Sequence, residues 1–185
     1  LATGDSPLIV DCGANIGLAT KFFSKTYSES NIICIEPDRE NIRQARTNNL
    51  EKNIIFLEAA VGNIDMRGRI VDPGLGNWGY RIESDEVGGV EILSINSLIN
   101  ELQTKKLKPF IIKIDIEGFE SQLFLSNTEW VKEFPVLIIE LHDGMFPNTA
   151  NSKNFLKEIS KLNRDFLFHG ENIFSISNSI SLSTE

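Results

Sequence analysis

The sequence predicts an α/β fold: a mostly parallel β-sheet with helices on both faces, closed by an antiparallel hairpin at the C-terminus. Three observations carry this. Short apolar runs alternate with helix-forming stretches, the rhythm of parallel βαβ units with right-handed crossovers. A glycine-bearing turn, Asp11-Cys12-Gly13-Ala14-Asn15-Ile16-Gly17, joins the first apolar run to the first helical stretch. Polar residues gather where the predicted strands end: Asp11, Glu36, Glu58, Asp115 with Glu117, and Glu140 with His142. In an open sheet that edge is where ligands bind.

The elements follow in order. Leu8-Ile9-Val10 starts the first strand, and Leu18-Ala19-Thr20-Lys21-Phe22-Phe23 the first helix. Asn31-Ile32-Ile33-Cys34-Ile35-Glu36 is a second buried strand, stopped by Pro37, and Asp38 is the N-cap of a helix running to about Leu50. Ile54-Ile55-Phe56-Leu57-Glu58 gives the third strand. Seven glycines fall between Gly62 and Gly89, around the cluster Gly76-Asn77-Trp78-Gly79-Tyr80. Two readings stay open there: antiparallel edge strands with a flexible connection, or a loop closing over a ligand. Val90-Glu91-Ile92-Leu93 reads as an edge strand, with Asn96 capping a short helix through Leu102. Phe110-Ile111-Ile112-Lys113-Ile114-Asp115 is a strong central strand, followed by a helix through about Leu125. Val136 to His142 is the fifth buried strand, Ser152 caps a helix to roughly Arg164, and Asp165 to Gly170 with Asn172 to Ile176 form the closing hairpin.

With 185 residues, 41% apolar and 24% charged, the chain suits one globular domain. Residues 1–176 are expected to form it, residues 62–94 being a glycine-rich insertion between strands three and four and residues 177–185 a frayed tail. Net charge is −8, from 26 acids and 18 bases, so a nucleic-acid partner is not expected; the nearest basic stretch, Lys105-Lys106-Leu107-Lys108, reads as a solvated loop. No apolar run approaches a membrane span and no signal pattern opens the chain, so a cytoplasmic setting is expected. Cys12 and Cys34 read as small core residues, not a disulfide. The first residue is Leu1 and not Met, which suggests a segment of a longer polypeptide.

The glycine turn can cradle a nucleotide-like ligand. Gly13 and Gly17 let the backbone turn sharply, and the first helical amides are expected to point outward as open donors. Their spacing departs from the Gly-x-Gly-x-x-Gly of dinucleotide binders. Glu36, 19 residues beyond Gly17, stands where a carboxylate can accept the hydroxyls of an adenosine ribose.

Lys113-Ile114-Asp115-Ile116-Glu117-Gly118-Phe119-Glu120, with Ile139-Glu140-Leu141-His142 and the Asp11 to Gly17 turn, closely resembles the FkbM-type family of S-adenosylmethionine (SAM)-dependent methyltransferases. The resemblance runs from about Leu8 to Ile176. It implies a Rossmann-like class I methyltransferase fold of seven strands and O-methylation of a hydroxyl on a sugar, glycan or secondary metabolite, with SAM as cofactor. It also implies Asp11 beneath the turn, with Gly13, Ala14, Asn15 and Gly17 around the methionine part of SAM. Glu36 would take the ribose, Pro37 and Asp38 would lie beside the adenine, and Ala59 and Ala60 would face the ring's other side.

Asp115 sits where the methyl should project, and His142 is the nearby group whose ordinary pKa lies close to neutral. His142 is therefore expected as base or orienter, with Asp115 and Glu117 positioning the acceptor. Lys113, inside an apolar strand, needs a carboxylate partner such as Asp11 or Glu140. Asp115, Glu140 and His142 could also suit a hard metal. With two histidines and no clear ligand spacing, no metal is expected. A nicotinamide-dependent oxidoreductase domain and a non-catalytic SAM-binding module are the competing readings. The first shares the strand, turn, helix and acid but lacks the third glycine.

Overall fold

A computed structural model of the chain describes residues 6–71, 81–84, 89–103 and 107–179. The glycine-rich cluster around Trp78, the Lys105-Lys106 pair and the last six residues lie outside the described residues. The chain runs through β1 (Ser6–Cys12), α1 (Leu18–Thr26), β2 (Asn31–Glu36), α2 (Arg39–Asn48), β3 (Ile54–Gly62), β4 (Met66–Val71), β5 (Arg81–Ser84), β6 (Val90–Ser94) and α3 (Ile95–Gln103). It continues through β7 (Leu107–Ile114), α4 (Glu120–Leu123), a 3-10 turn (Glu129–Lys132), β8 (Val136–Glu140), α5 (Lys153–Ile159), β9 (Arg164–His169) and β10 (Asn172–Ser177).

The strands form one sheet in the order β5-β4-β6-β3-β2-β1-β7-β8-β10-β9. The stretch from β3 to β9 is the expected seven-stranded arrangement: β3, β2, β1, β7 and β8 pair in parallel, and the C-terminal hairpin adds antiparallel to β8. Strand order reverses between β1 and β7, so their carboxyl ends flank a crevice. β4, β5 and β6 extend the sheet beyond β3.

Both faces carry a core. On one, α3, α4, the 3-10 turn and α5 cover Val10, Ile33, Ile112 and Ile139, with Phe124 set against Phe155 and Trp130 at ring distances of 5.1 and 5.4 Å. On the other, Phe23 of α1 and Ile42 and Ala45 of α2 cover Ile9, Ile32 and Ile54. Burying each large aliphatic of β1 and β2 contributes about 1.5–3 kcal/mol, which fixes the central strands and hence the crevice. Cys12 and Cys34 are buried free thiols; burial raises both pKa values, that of Cys34 to about 12, so both stay neutral.

Four expectations need correction. β6 is not an edge: it pairs in parallel with β3 and antiparallel with β4. Asn96 lies inside α3; Ser94 Oγ accepts from Ser97 N (3.2 Å), and Asn96 Nδ2 instead donates to Asn127 O and Glu129 Oε2, both at 3.0 Å. The helix after Phe119 is a single turn ending at Leu123. α5 stops at Ile159 because Arg164 already belongs to β9, where its buried guanidinium donates to Ser175 Oγ and to the carbonyls of Phe134 and Pro135.

Candidate active site

The turn after β1 is held by its own amides. Gly13 N and Ala14 N both donate to Ile35 O at 3.0 Å, Asn15 N to Glu36 Oε2 at 2.9 Å, Ile16 N to Asn15 Oδ1 and Gly17 N to Ala14 O, both at 2.8 Å. The backbone amides of residues 13 to 17 are thus all engaged, and those of Gly13, Ala14 and Asn15 tie β1 to β2. Gly13, Asn15 and Gly17 all have positive φ. A Cβ on Gly17 would lie 2.6 Å from Asn49 Nδ2 and 2.9 Å from Ala45 Cβ, so this glycine lets α1 close on α2.

Asp11 is fully buried. Its Oδ2 accepts from Thr20 Oγ1 at 2.6 Å, and Oδ1 has no hydrogen-bond partner. Burial lifts its pKa, an effect the Lys113 ammonium 4.0 Å from Oδ1 opposes. Lys113 itself donates to Asp115 Oδ2 at 3.0 Å, so its main partner is Asp115, with Asp11 behind at 4.0 Å.

Glu36 ends β2 with its carboxylate held in place: Oε1 accepts from Asp38 N (3.0 Å) and Asn41 Nδ2 (3.3 Å), and Oε2 from Asn15 N. With about four acceptor positions on a carboxylate, these bonds leave room for little more than one further donor. Burial raises its pKa, while the two backbone donors oppose this. Asp38 caps α2 as expected, Oδ1 accepting from Glu40 N and Asn41 N.

A cleft of about 600 Å³ opens beside Glu36 at the carboxyl ends of β1, β2, β3 and β7. Of the residues expected in the site, Gly13, Asn15, Glu36, Pro37, Asp38, Ala59, Ala60, Asp115 and Glu117 line it. Asp11, Ala14 and Gly17 do not; they are buried beneath the turn they shape. Asn41, Ile116 and Phe119 are among the wall residues that were not foreseen. Asn41 was within reach of sequence reasoning, since it falls three residues after the helix cap, on the turn facing the strand end.

Beyond Asp115 stands His142, which follows β8 and is 6% exposed. Its Nδ1 lies 2.8 Å from Oε1 of Glu120, itself wholly buried. Its Nε2 faces Glu140 Oε1 at 3.6 Å, Asp115 Oδ1 at 3.7 Å and Glu117 Oε2 at 3.9 Å, none close enough for a hydrogen bond. Burial works against a charged ring, but the Glu120 bond and the surrounding carboxylates outweigh it and hold the pKa above the ordinary histidine value. Burial also pushes Glu117 and Glu140 up. Ligand atoms of Asp115, Glu140 and His142 lie within 4.8 Å of one another, a spacing the sequence did not reveal.

Residues 11–168 match the model of the Methyltransferase FkbM domain. The chain belongs to the FkbM methyltransferase family. Its cofactor is S-adenosylmethionine, which sets aside the nicotinamide reading. The chain is similar to the hexuronic acid methyltransferase AglP of Haloferax volcanii, 22% identical over 168 residues that make up 87% of this chain and 68% of that protein. In fold it is similar to a chain of a fibrillarin/Nop5p complex, with a TM-score of 0.50 and 15% identity over 93% of this chain and 71% of that one. The precorrin-6y C5,15-methyltransferase of Geobacter metallireducens gives 0.49 and 10%, over 93% and 79%. The cleft of this FkbM chain fits a sulfonium nucleoside: among the described residues its wall carries the acids Glu36, Asp38, Asp115 and Glu117 against one base, Arg39, and small walls at Ala59 and Ala60 suit a flat ring. Among the described residues no helix is long and apolar enough to cross a membrane.

Proposed function

We propose that this FkbM methyltransferase methylates a hydroxyl oxygen of a sugar, glycan or secondary metabolite, acting in the cytoplasm on a diffusible or glycan-borne acceptor. The observation that carries this reading is the position of His142 Nε2, which faces Asp115 and Glu117, both part of the cleft wall. The relative AglP, named for action on a hexuronic acid, supports an acceptor of the sugar class. Residues 1–176 are read as one catalytic domain, with residues 62–94 inserted after β3.

In this reading Glu36 accepts from the ribose, Pro37 and Asp38 lie beside the adenine, Ala59 and Ala60 face its other side, and Gly13 and Asn15 border the methionine portion. Asp11, Ala14 and Gly17 act from beneath by fixing the turn. SAM held there would supply an electrophilic methyl on sulfonium for the acceptor oxygen, with S-adenosylhomocysteine as the leaving group. The chain's own work is to exclude water, align the oxygen and take its proton. His142 accepts that proton at Nε2, and Asp115 and Glu117 position the hydroxyl. No metal is assigned: Asp115 is already paired with the Lys113 ammonium, and His142 Nε2 is given to the acceptor's proton.

The test is a screen of neutral and acidic sugars and polyhydroxylated small molecules with methyl-labelled SAM, the product located by mass spectrometry. Label on an acceptor oxygen is expected. Label on nitrogen or carbon, or no transfer to any hydroxyl while SAM binds, would overturn the assignment.

A further inference from the structure

Glu120 does not line the cleft, yet it is wholly buried and held by three polar contacts. Its Oε1 accepts from Gly118 N at 3.2 Å and its Oε2 from Asn151 Nδ2 at 2.6 Å. Both oxygens of Glu120 thus already face N–H donors, so the side chain is set among donors and meets His142 as an acceptor. The 2.8 Å contact with His142 is therefore an Nδ1–H donating to Glu120 Oε1. That choice leaves Nε2 of the neutral ring as a bare lone pair.

We infer that Glu120 is the positioning residue of the site: it fixes His142 as the Nδ1–H tautomer with Nε2 open toward the acceptor, and Asn151 and Gly118 hold Glu120 in turn. This rests on the proposed role of His142 in methyl transfer and deepens it. An oxygen seated in front of Nε2 can be within hydrogen-bond reach of the ring and of Asp115, Glu117 or Glu140 together, since those carboxylates are only 3.6–3.9 Å from the nitrogen. Proton transfer from that oxygen to Nε2 gives an imidazolium between Glu120 on one side and three carboxylates on the other. Charge created there meets acids on every packed element: Glu120 on α4, Asp115 and Glu117 on the β7–α4 connection, Glu140 on β8. Of these Asp115 is partly neutralised by Lys113. The arrangement thus favours the product of proton transfer as well as aiming the base.

The test needs no acceptor. The chain has two histidines, His142 and the exposed His169, so nitrogen-15 NMR of His169→Asn isolates the His142 ring. The neutral ring is expected as Nδ1–H with Nε2 bare. Glu120→Gln, which keeps an acceptor but removes the charge, should move the titration midpoint downward, and Asn151→Ala should let the other tautomer appear. A neutral ring found as Nε2–H in the otherwise wild-type protein, or a midpoint unmoved in Glu120→Gln, would overturn the inference; the first measurement stands even where a variant fails to fold. Calorimetry with SAM on the same samples keeps the two claims apart. Unchanged SAM affinity in Glu120→Gln is expected; absence of SAM binding in every sample would sink the methyl-transfer reading and leave the His142 tautomer result standing.

Discussion

Gly13 packs directly against the carbonyl of Asp115: a Cβ on the glycine would lie 1.8 Å from that oxygen, and Asp115 N donates back to Cys12 O at 3.0 Å. The turns after β1 and β7 are thereby locked together, so the part of the cleft beside Glu36 and the part beside His142 cannot move independently. Gly13→Ala should break this lock. Its φ of +74° costs a residue with Cβ about 1–2 kcal/mol, and the collision with backbone adds to it. We expect a loss of more than about 2 kcal/mol, a melting temperature lower by roughly 4–8 °C for a chain of this size. An unchanged melting temperature in differential scanning calorimetry would refute the lock.

Glu36 couples the same turn to α2, since one carboxylate binds Asn15 N, Asp38 N and Asn41 Nδ2. Replacing it by Ala removes three charge-assisted bonds and the proposed ribose acceptor. SAM affinity should fall at least about tenfold, the equivalent of one such bond at about 1.5 kcal/mol. Glu36→Gln keeps one acceptor and should fall between the two. Titration calorimetry decides it, and equal affinity in wild type and Ala would remove Glu36 from the binding site.

Local signals in the sequence carried the central fold well. β2 spans Asn31–Glu36 as expected because Pro37 ends the apolar run, and Asp38 caps α2 because an acid after that proline finds two open amides. The misplacements are long-range. β6 lies inside the sheet only because β4, more than twenty residues earlier, pairs on its far side. Glu120, His142 and Asn151 form one buried network across 31 residues, and no local pattern ties a one-turn helix to a loop asparagine. The acceptors of three turn amides, Ile35 O for Gly13 and Ala14 and Glu36 for Asn15, sit on the next strand, so no local pattern announces those bonds.

Lys113 stands between two acids, with an ammonium 3.0 Å from Asp115 and 4.0 Å from Asp11. Lys113→Met would leave Asp11, which is fully buried, with Thr20 as its sole remaining partner of opposite polarity. Destabilisation of about 3 kcal/mol at neutral pH is expected, the low end for breaking a buried pair because the ammonium keeps slight exposure. Burial already raises the Asp11 pKa, so protonation relieves the penalty, and the deficit should shrink as pH falls through the raised value. Denaturant unfolding at several pH values measures this; a deficit that grows with acid would show that Asp11 is not the stranded group.

Asp115, Glu140 and His142 are close enough for one cation to bridge, so the metal-free mechanism needs its own check. Asp115 Oδ2 is engaged by Lys113, which already brings positive charge to the cluster. Once an acceptor is found, activity should survive dialysis against a strong chelator and show no gain with magnesium or manganese. Activity lost on chelation and recovered with one divalent ion would replace proton transfer to His142 by metal chemistry.

His142→Ala should slow methyl transfer by about 10²–10⁴, the usual worth of a positioned base, while SAM affinity stays within a few-fold because the ring does not line the cleft beside Glu36. The ring must be neutral to accept a proton, and its surroundings hold its pKa above the ordinary histidine value. The rate in wild type should therefore climb with pH and level off only above that ordinary value. Stability runs the other way. A folded pKa raised above the unfolded one makes the charged ring stabilising at pH values below about 6.5, and that contribution fades as pH rises through the folded value. His142→Ala should abolish this part of the pH dependence of unfolding. A rate that falls with rising pH over the same range would remove His142 as the base, and a variant that loses SAM affinity and transfer in equal measure would make its role structural.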